Sequence, residues 1–234
     1  MEEIVMLTSA DNPPYEFTKS GEIVGFDVDL AKVIAEKLGR KLVLKDMSFA
    51  SLIPAIVSKQ GDFAMAAIEP TNPREKNVDL SISYHIDDGG VVTTKKEFEL
   101  MGSGDGVFTF DMLAGKTIGV QLGTTQETKI KESNILGLTM RRYDNIGTMI
   151  AEISNSANGN GTLHAIILDY AAAKELARKN SKLCAFAVPQ LGGHCAIALP
   201  KRSPLTEEIN KIIELLKNTG ELSAIEKKWW PEKE

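Results

Sequence analysis

Cysteine, histidine, positive charge and long apolar runs are all in short supply in this chain. Two cysteines, Cys184 and Cys195, stand in 234 residues, which excludes a disulfide-dense scaffold. Their spacing leaves two options open, one bridge in an oxidising compartment or two buried thiols. The three histidines, His85, His164 and His194, share no metal-ligand spacing, so no metal site is expected. Lys and Arg number 27 against 32 Asp and Glu, a formal net charge of −5. With no long basic run, this argues against a nucleic-acid surface. No stretch approaches the roughly 20 apolar residues that a helix needs to cross a bilayer. No signal peptide is expected within these residues, because Met1-Glu2-Glu3 reads directly into a strand. A cytoplasmic protein and a mature domain without its leader both fit.

Familiar enzyme motifs also fail. Gly115-Lys116-Thr117 resembles the end of a phosphate loop, but Phe110 occupies the required earlier glycine position. Gly102-Ser103-Gly104-Asp105-Gly106 lacks the strand-turn-helix context of a dinucleotide site. No serine sits in a nucleophile elbow, and no cofactor is expected. Asn160-Gly161-Thr162 matches a glycosylation acceptor, a pattern common by chance.

What is present is ordinary globular material, 43% hydrophobic and 25% charged, enough for a core in each of two halves. Ile4 to Thr8 reads as a strand, and the prolines of Ser9 to Tyr15 predict an irregular loop. Asp27 is a plausible cap for a helix whose apolar face is Leu30, Val33, Ile34 and Leu38, stopped by Gly39. Lys41 to Lys45 reads as a strand and Phe49 lies in a loop. A helix follows from about Ser51, with Pro54 in its first turn. Phe63 to Ile68 completes β-α-β-α-β, the half-unit of an open parallel sheet.

The segment Ser81 to Gly90 has no clear period, Val91 to Thr94 reads as a strand, and Glu97 to Gly106 as an exposed loop. A second half-unit follows. Its strands are Lys116–Val120, Leu138–Arg142, His164–Leu168 and Leu183–Val188. Its helices begin near Thr125, after a cap at Asp144, and at Tyr170. Two C-terminal helices, the first from Ser203-Pro204 to about Gly220 and the second holding Trp229 and Trp230, should return to the first half. The expectation is two α/β lobes, the first discontinuous, joined by two crossing strands. Ligands of open α/β sheets sit beyond the C-terminal strand ends. Those ends are Ile68-Glu69, Val120-Gln121 and Leu168-Asp169, expected to face one cleft.

The stretch Ala66-Ala67-Ile68-Glu69-Pro70-Thr71-Asn72-Pro73-Arg74 is the most informative. Asn72-Pro73 reads as an N-cap followed by proline at the first helical position, which places Arg74 in the first turn. Arginine's planar fork suits a carboxylate there; a surface arginine on an ordinary turn is the alternative. Asp169 can bind an ammonium, or simply cap the helix from Tyr170. Gly123-Thr124-Thr125 ahead of a helix offers N–H groups and hydroxyls to an anion, or is a plain capped turn. Phe49 can stack on an apolar ligand stem, or belong to the core.

Taken together these segments resemble the family 3 solute-binding proteins, the periplasmic receptors of polar amino-acid ABC importers. The matching residues cover nearly the whole chain. They are Pro13-Pro14-Tyr15-Glu16-Phe17, Val24-Gly25-Phe26-Asp27-Val28-Asp29-Leu30-Ala31, Phe49 with Leu52-Ile53-Pro54-Ala55, and Gly61-Asp62. Thr71 with Arg74, Leu113-Ala114-Gly115-Lys116, Val120 with Gly123-Thr124-Thr125, and Lys227-Lys228-Trp229 continue the match. The resemblance implies a type II periplasmic-binding-protein fold of two lobes, each an open, mostly parallel sheet flanked by helices. Lobe 1 would be residues 1–86 and 194–234 and lobe 2 residues 90–190, with hinges near Tyr84–Gly89 and Leu191–Cys195. It implies that Arg74 binds the ligand α-carboxylate, with Thr125 or Thr124 as a second donor, and that Asp169 binds the α-ammonium. Ala67 and Glu69 match positions that meet the ligand, and Phe49 matches an aromatic wall. Gln121 ends a cleft strand.

The chain departs from the family at Glu69, where serine or threonine is usual, and at Asn12, where an aromatic often stacks. His194-Cys195 replaces a common Gln-Tyr, and the insertion around Gly102–Gly106 is unusual. Glu69, with Asp11 and Asp88, favours a cationic amino acid such as arginine or lysine. The implied role is a non-catalytic, monomeric receptor that closes on its ligand and docks on an inner-membrane ABC permease. Two alternatives share the fold: the input domain of a sensor, and a dehydratase acting on arogenate or prephenate with Glu69 as its acid. The resemblance also implies export, to the periplasm or as a lipid-anchored protein, with the leader missing from this sequence. In that compartment a Cys184–Cys195 bridge gains weight.

Overall fold

A computed structural model describes residues 2–101 and 107–230. The unusual insertion expected around Gly102–Gly106 lies outside these described residues. The chain divides into two compact units, Met1–Ile86 with His194–Glu234, and Asp87–Gly193.

The first unit opens with β1 (Glu3–Thr8), β2 (Asp11–Asn12), β3 (Glu16–Lys19), β4 (Glu22–Val24), α1 (Phe26–Lys37) and β5 (Lys41–Asp46). It continues with α2 (Phe49–Val57), β6 (Phe63–Ala64), α3 (Asn72–Asn77) and β7 (Val78–Leu80). The chain then leaves along β8 (His85–Thr94). The second unit adds α4 (Lys95–Leu100), a 3-10 turn at Phe110–Leu113, β9 (Thr117–Gln121), α5 (Thr125–Glu132), β10 (Thr139–Tyr143) and α6 (Ile146–Ala157). After β11 (Ala165–Asp169) and α7 (Tyr170–Lys179), β12 (Leu183–Cys195) carries the chain back. The first unit is completed by β13 (Ala198–Pro200), α8 (Leu205–Thr219) and α9 (Glu221–Trp229).

The first unit's main sheet has the order β5-β1-β6-β13-β7. The β1–β5 and β1–β6 pairs are parallel, whereas β13 runs antiparallel to β6 and β7. Leu7, Leu52, Ile56, Ala66, Ile68 and Val78 form one of its buried clusters. In α8 the apolar positions Leu205, Ile209, Ile213 and Leu216 are buried, the spacing of one helix face. Gly220, left-handed at φ 78°, ends it. A cluster of rings joins the segments: Trp230 stacks on His85 at 4.7 Å, Tyr15 and Phe26 meet Trp230 edge-on, and Tyr84 tilts against Phe26.

The second unit's sheet has the order β10-β9-β11-β8-β12, parallel between β10, β9 and β11 and antiparallel between β11 and β8. Successive strand residues point to opposite faces, and the cores divide accordingly. Val92 and Ile166 pack with Ile146, Met149 and Ile153 of α6 on one face. Val91 and Ile167 pack with Ile118, Val120 and Ile130 on the other. Both units therefore hold mixed sheets flanked by helices rather than mostly parallel ones.

Several local expectations are corrected. The loop after β1 contains a small antiparallel sheet, β2-β3-β4. Gly25, not Asp27, caps α1. Phe49 opens α2 after the cap Ser48, so Pro54 lies inside the helix rather than in its first turn. The third strand ends at Ala64 instead of Ile68, because Ala67 turns the chain with a left-handed φ of 47°. Thr71 caps α3, its hydroxyl accepting from the Arg74 N–H at 3.3 Å, which moves Asn72 into the helix. Residues 95–100 are helical, capped by Thr94. Asn145, not Asp144, caps α6. Cys184 and Cys195 are both thiols. Burial pushes the Cys184 thiol up to about 11.

Candidate functional site

In the first unit the polar residues collect where β6 gives way to α3. Thr71, Asn72 and Pro73 start the helix, and Arg74 is half-buried in its first turn. Its Nη1 donates to the Glu69 carbonyl at 2.6 Å, and its guanidinium stands 5.5 Å from the centre of the Phe49 ring. Burial pulls the Arg74 guanidinium below its ordinary value, and the Glu69 carboxylate opposes that shift. A guanidinium carries five N–H donors in a rigid fork, and the Glu69 carbonyl takes up one of them. The backbone at Ala67 is fixed by Asp27, whose Oδ2 accepts from the Ala67 N–H at 2.9 Å. Arg74, Glu69, Phe49 and Ala67 are thus gathered within one stretch of this unit.

Asp11 and Asn12 form β2, paired with β3 through Asp11–Phe17 and Asn12–Glu16. Asp11 accepts from the Ser9 hydroxyl at 3.2 Å. Asn12 is buried. Asp88 lies exposed on β8 of the second unit.

In the second unit the polar residues collect at the ends of β9 and β11. The sequence Thr124-Thr125-Gln126-Glu127 after Gly123 builds a reciprocal cap. The Thr124 hydroxyl accepts from the Glu127 N–H at 3.2 Å, and the Glu127 carboxylate accepts from the Gly123 N–H at 2.8 Å. Arg142 holds that carboxylate from β10 at 2.5 Å. The Gly123 N–H is therefore committed to Glu127 and not presented to an anion. The N–H groups of Thr125 and Gln126 lie in the first turn of α5, where no carbonyl inside the helix accepts them.

Asp169 occupies the N-cap position of α7, yet its side chain makes no capping hydrogen bond. Instead its Oδ1 accepts from Gln126 Nε2 at 2.8 Å. Gln126 Oε1 in turn lies 3.3 Å from the Thr125 hydroxyl, which donates to it. Thr124 donates to the Gln121 carbonyl at 2.8 Å. Gln121 is buried, and its Nε2 meets no acceptor among the described residues. Thr124, Thr125, Gln121 and Asp169 thus belong to one polar cluster, and Gln126 links Thr125 to Asp169. Sequence reading missed Gln126 and Glu127. The Thr124-x-x-Glu127 spacing is a legible capping box; nothing local marks Gln126 as the partner of Asp169, a residue 43 positions away.

A chain with an arginine at one helix start and an uncapping aspartate at another matches a known family along its length. The model of the bacterial extracellular solute-binding proteins, family 3, matches residues 4–232. This chain belongs to that family. The arginine-binding extracellular protein ArtP of Bacillus subtilis is 35% identical over 97% of this chain and 86% of its own length. An ancestral arginine-binding protein, solved bound to arginine, aligns with a TM-score of 0.86 at 32% identity, covering 98% of each chain. The arginine-, lysine-, histidine-binding protein ArtJ of Geobacillus stearothermophilus aligns at 0.85 and 27% identity, over 100% of this chain and 97% of its own. The fold is accordingly the two-lobe α/β periplasmic-binding-protein fold. Among the described residues, no helix is long and apolar enough to cross a membrane, and no group of three or more His, Cys, Asp or Glu is placed to hold a metal ion.

Proposed function

We propose that this protein is an extracytoplasmic receptor for an L-amino acid, preferring a cationic one such as arginine or lysine, and that it delivers its ligand to an ABC permease. The observation that carries the reading is the state of Asp169: it stands at a helix start without capping it, held by Gln126. An aspartate so placed suits an α-ammonium. Arg74 with Thr125 and Thr124 suits the α-carboxylate, each charge-assisted bond contributing about 1.5–3 kcal/mol. Phe49 and Ala67 line the first half-site, Gln121 the second. Glu69, with Asp11, supplies negative charge for a cationic side chain. Membership of the family and the ligands in the names of its relatives support this reading.

A ligand that engages groups of both units at once favours the arrangement in which both touch it, and so shifts the population towards a closed form. The chain works as a monomer outside the cytoplasm, free or lipid-anchored, and its action is binding rather than turnover. Calorimetric titration with the twenty amino acids tests this. Arginine or lysine should bind tightest. Absence of binding by any of them overturns the receptor reading, and glutamate as the tightest ligand overturns the cationic preference. Prephenate should stay unconverted in the presence of the protein; turnover lost in Glu69→Gln would replace a receptor by a dehydratase.

A further inference from the structure

Asp27 is fully buried, and a single oxygen of its carboxylate connects two distant parts of the first unit. Oδ2 accepts from the Ala67 N–H and from the Tyr84 hydroxyl, each at 2.9 Å. Ala67 is no ordinary partner. Its φ of 47° is left-handed, a conformation that Cβ makes unfavourable for any residue but glycine. The turn runs through that residue: β6 ends at Ala64, and after Ala67 the chain reaches Glu69, whose carbonyl receives Arg74. Tyr84 lies just before the chain leaves the unit at Ile86, and its N–H donates to the Cys195 carbonyl on the returning segment at 2.9 Å.

Asp27 is itself held in place. Its N–H donates to the Tyr15 carbonyl at 2.9 Å, and the Phe26 N–H to the Pro14 carbonyl at 2.9 Å. A side chain at Gly25 would stand 2.0 Å from the Tyr15 oxygen, so the Gly-Phe-Asp sequence fits against the Pro14-Tyr15 loop only with glycine first. Two α1 residues thus hold one loop while the carboxylate holds the turn at Ala67 and the exit at Tyr84. Burial first, and the Asp27 charge second, raise the Tyr84 hydroxyl well above its ordinary value, so it remains a proton donor across the working range.

We propose that Asp27 is the positioning residue of the first half-site: it stabilises Ala67 in its left-handed conformation, and thereby sets the Ala66–Glu69 backbone and the seat of Arg74. Through Tyr84 the same carboxylate ties that turn to the point where the chain passes between units. This rests on the reading of residues 67–74 as an amino-acid site.

Rescue by glycine is the test. Glycine adopts positive φ without help, so the Ala67→Gly protein depends less on the brace. Asp27→Asn should weaken arginine binding about tenfold when Ala67 is present. In the Ala67→Gly protein, measured against its own affinity, the same change should cost less than about threefold, a coupling that a double-mutant cycle isolates. Equal losses in the two backgrounds, or none in the first, overturn the proposal. Amide hydrogen exchange of ligand-free protein gives a second readout that needs no ligand. The Ala67 N–H should exchange at least about tenfold faster in Asp27→Asn, and unchanged exchange overturns the brace. If Asp27→Asn does not fold, Tyr84→Phe replaces it: losing one of the two donors on Oδ2 should shift the Ala67 amide proton resonance, and an unmoved resonance overturns the shared acceptor. Failure of wild type to bind any amino acid would sink the receptor reading alone, since exchange at Ala67 still decides the brace.

Discussion

Arg74 and Glu69 share one short turn, and the roles proposed for them are separable. In the proposed site Arg74 takes the carboxylate common to all amino acids, so Arg74→Ala should weaken every ligand alike, by about 2 kcal/mol or roughly 30-fold, in a calorimetric panel. Arg74→Lys should not restore affinity, because an ammonium lacks the planar fork. Glu69 offers its carbonyl to Arg74, and its carboxylate charge acts on the same guanidinium. Glu69→Thr keeps the carbonyl and removes the charge. It should therefore change the order in which amino acids bind while leaving a measurable affinity; an unchanged order would show that Glu69 does not set specificity. In the second unit Gln126 fixes the Asp169 carboxylate. Gln126→Ala should lower affinity by about tenfold and lower the unfolding temperature by no more than about 2–4 °C, since a single net hydrogen bond is worth about 1 kcal/mol.

At the level of elements, α9 is fastened to α1 by Asp29. Its Oδ2 accepts from Lys228 Nζ at 2.5 Å and from the Trp229 indole N–H at 2.9 Å, and the Trp229 ring meets Phe17 edge-on at 5.9 Å. Burial alone would raise the Asp29 carboxyl, but the bonds from Lys228 and Trp229 outweigh it and hold the group below its ordinary value of 3.8. A depressed carboxyl contributes stability above its unfolded value, and loses that contribution as pH falls through the folded one. Solvent around the partly exposed pair screens the charge term. Asp29→Asn should therefore destabilise the protein by about 1 kcal/mol at pH 7, with a change in tryptophan fluorescence. The difference from wild type should shrink below pH 3.8 and vanish at lower pH. A difference that persists undiminished in acid would show that packing, not charge, holds α9.

For the molecule as a whole, binding adds stability by mass action. Arginine at about 100 times its dissociation constant should contribute about 2.7 kcal/mol, raising the unfolding temperature of a chain this size by roughly 5–10 °C. Glutamate at the same concentration should move it less. The two thiols give a second whole-molecule check. Intact mass should be the same with and without reductant, and denatured protein should take up two alkyl groups without prior reduction. In the native protein Cys184 should alkylate slowly at about pH 8, because burial raises its thiol to about 11 and the thiolate is the reactive form.

Much of this protein is determined within short windows of sequence. Strands β1, β9 and β11 follow from apolar runs, and α8 from its spaced Leu and Ile with Gly220 behind them. Such signals need only neighbours a few residues apart. The same holds for Arg74 in the first turn of α3 and Asp169 at the start of α7, each placed by the element boundary beside it. Caps slipped by one or two residues, as at Thr71 and Asn145, because several polar residues in a row can each serve. What a side chain does after it is placed was decided by the tertiary structure. Asp27 resembles a cap until packing brings Ala67 and Tyr84, 40 and 57 residues away, to one of its oxygens. Asp169 resembles a cap until Gln126 claims its carboxylate. Ala67 carries no mark of a left-handed residue, and its φ is imposed by partners that only the folded chain assembles. Local rules placed most elements to within a few residues; the pairing of buried polar groups, which no short window contains, set the turn on which Arg74 rests.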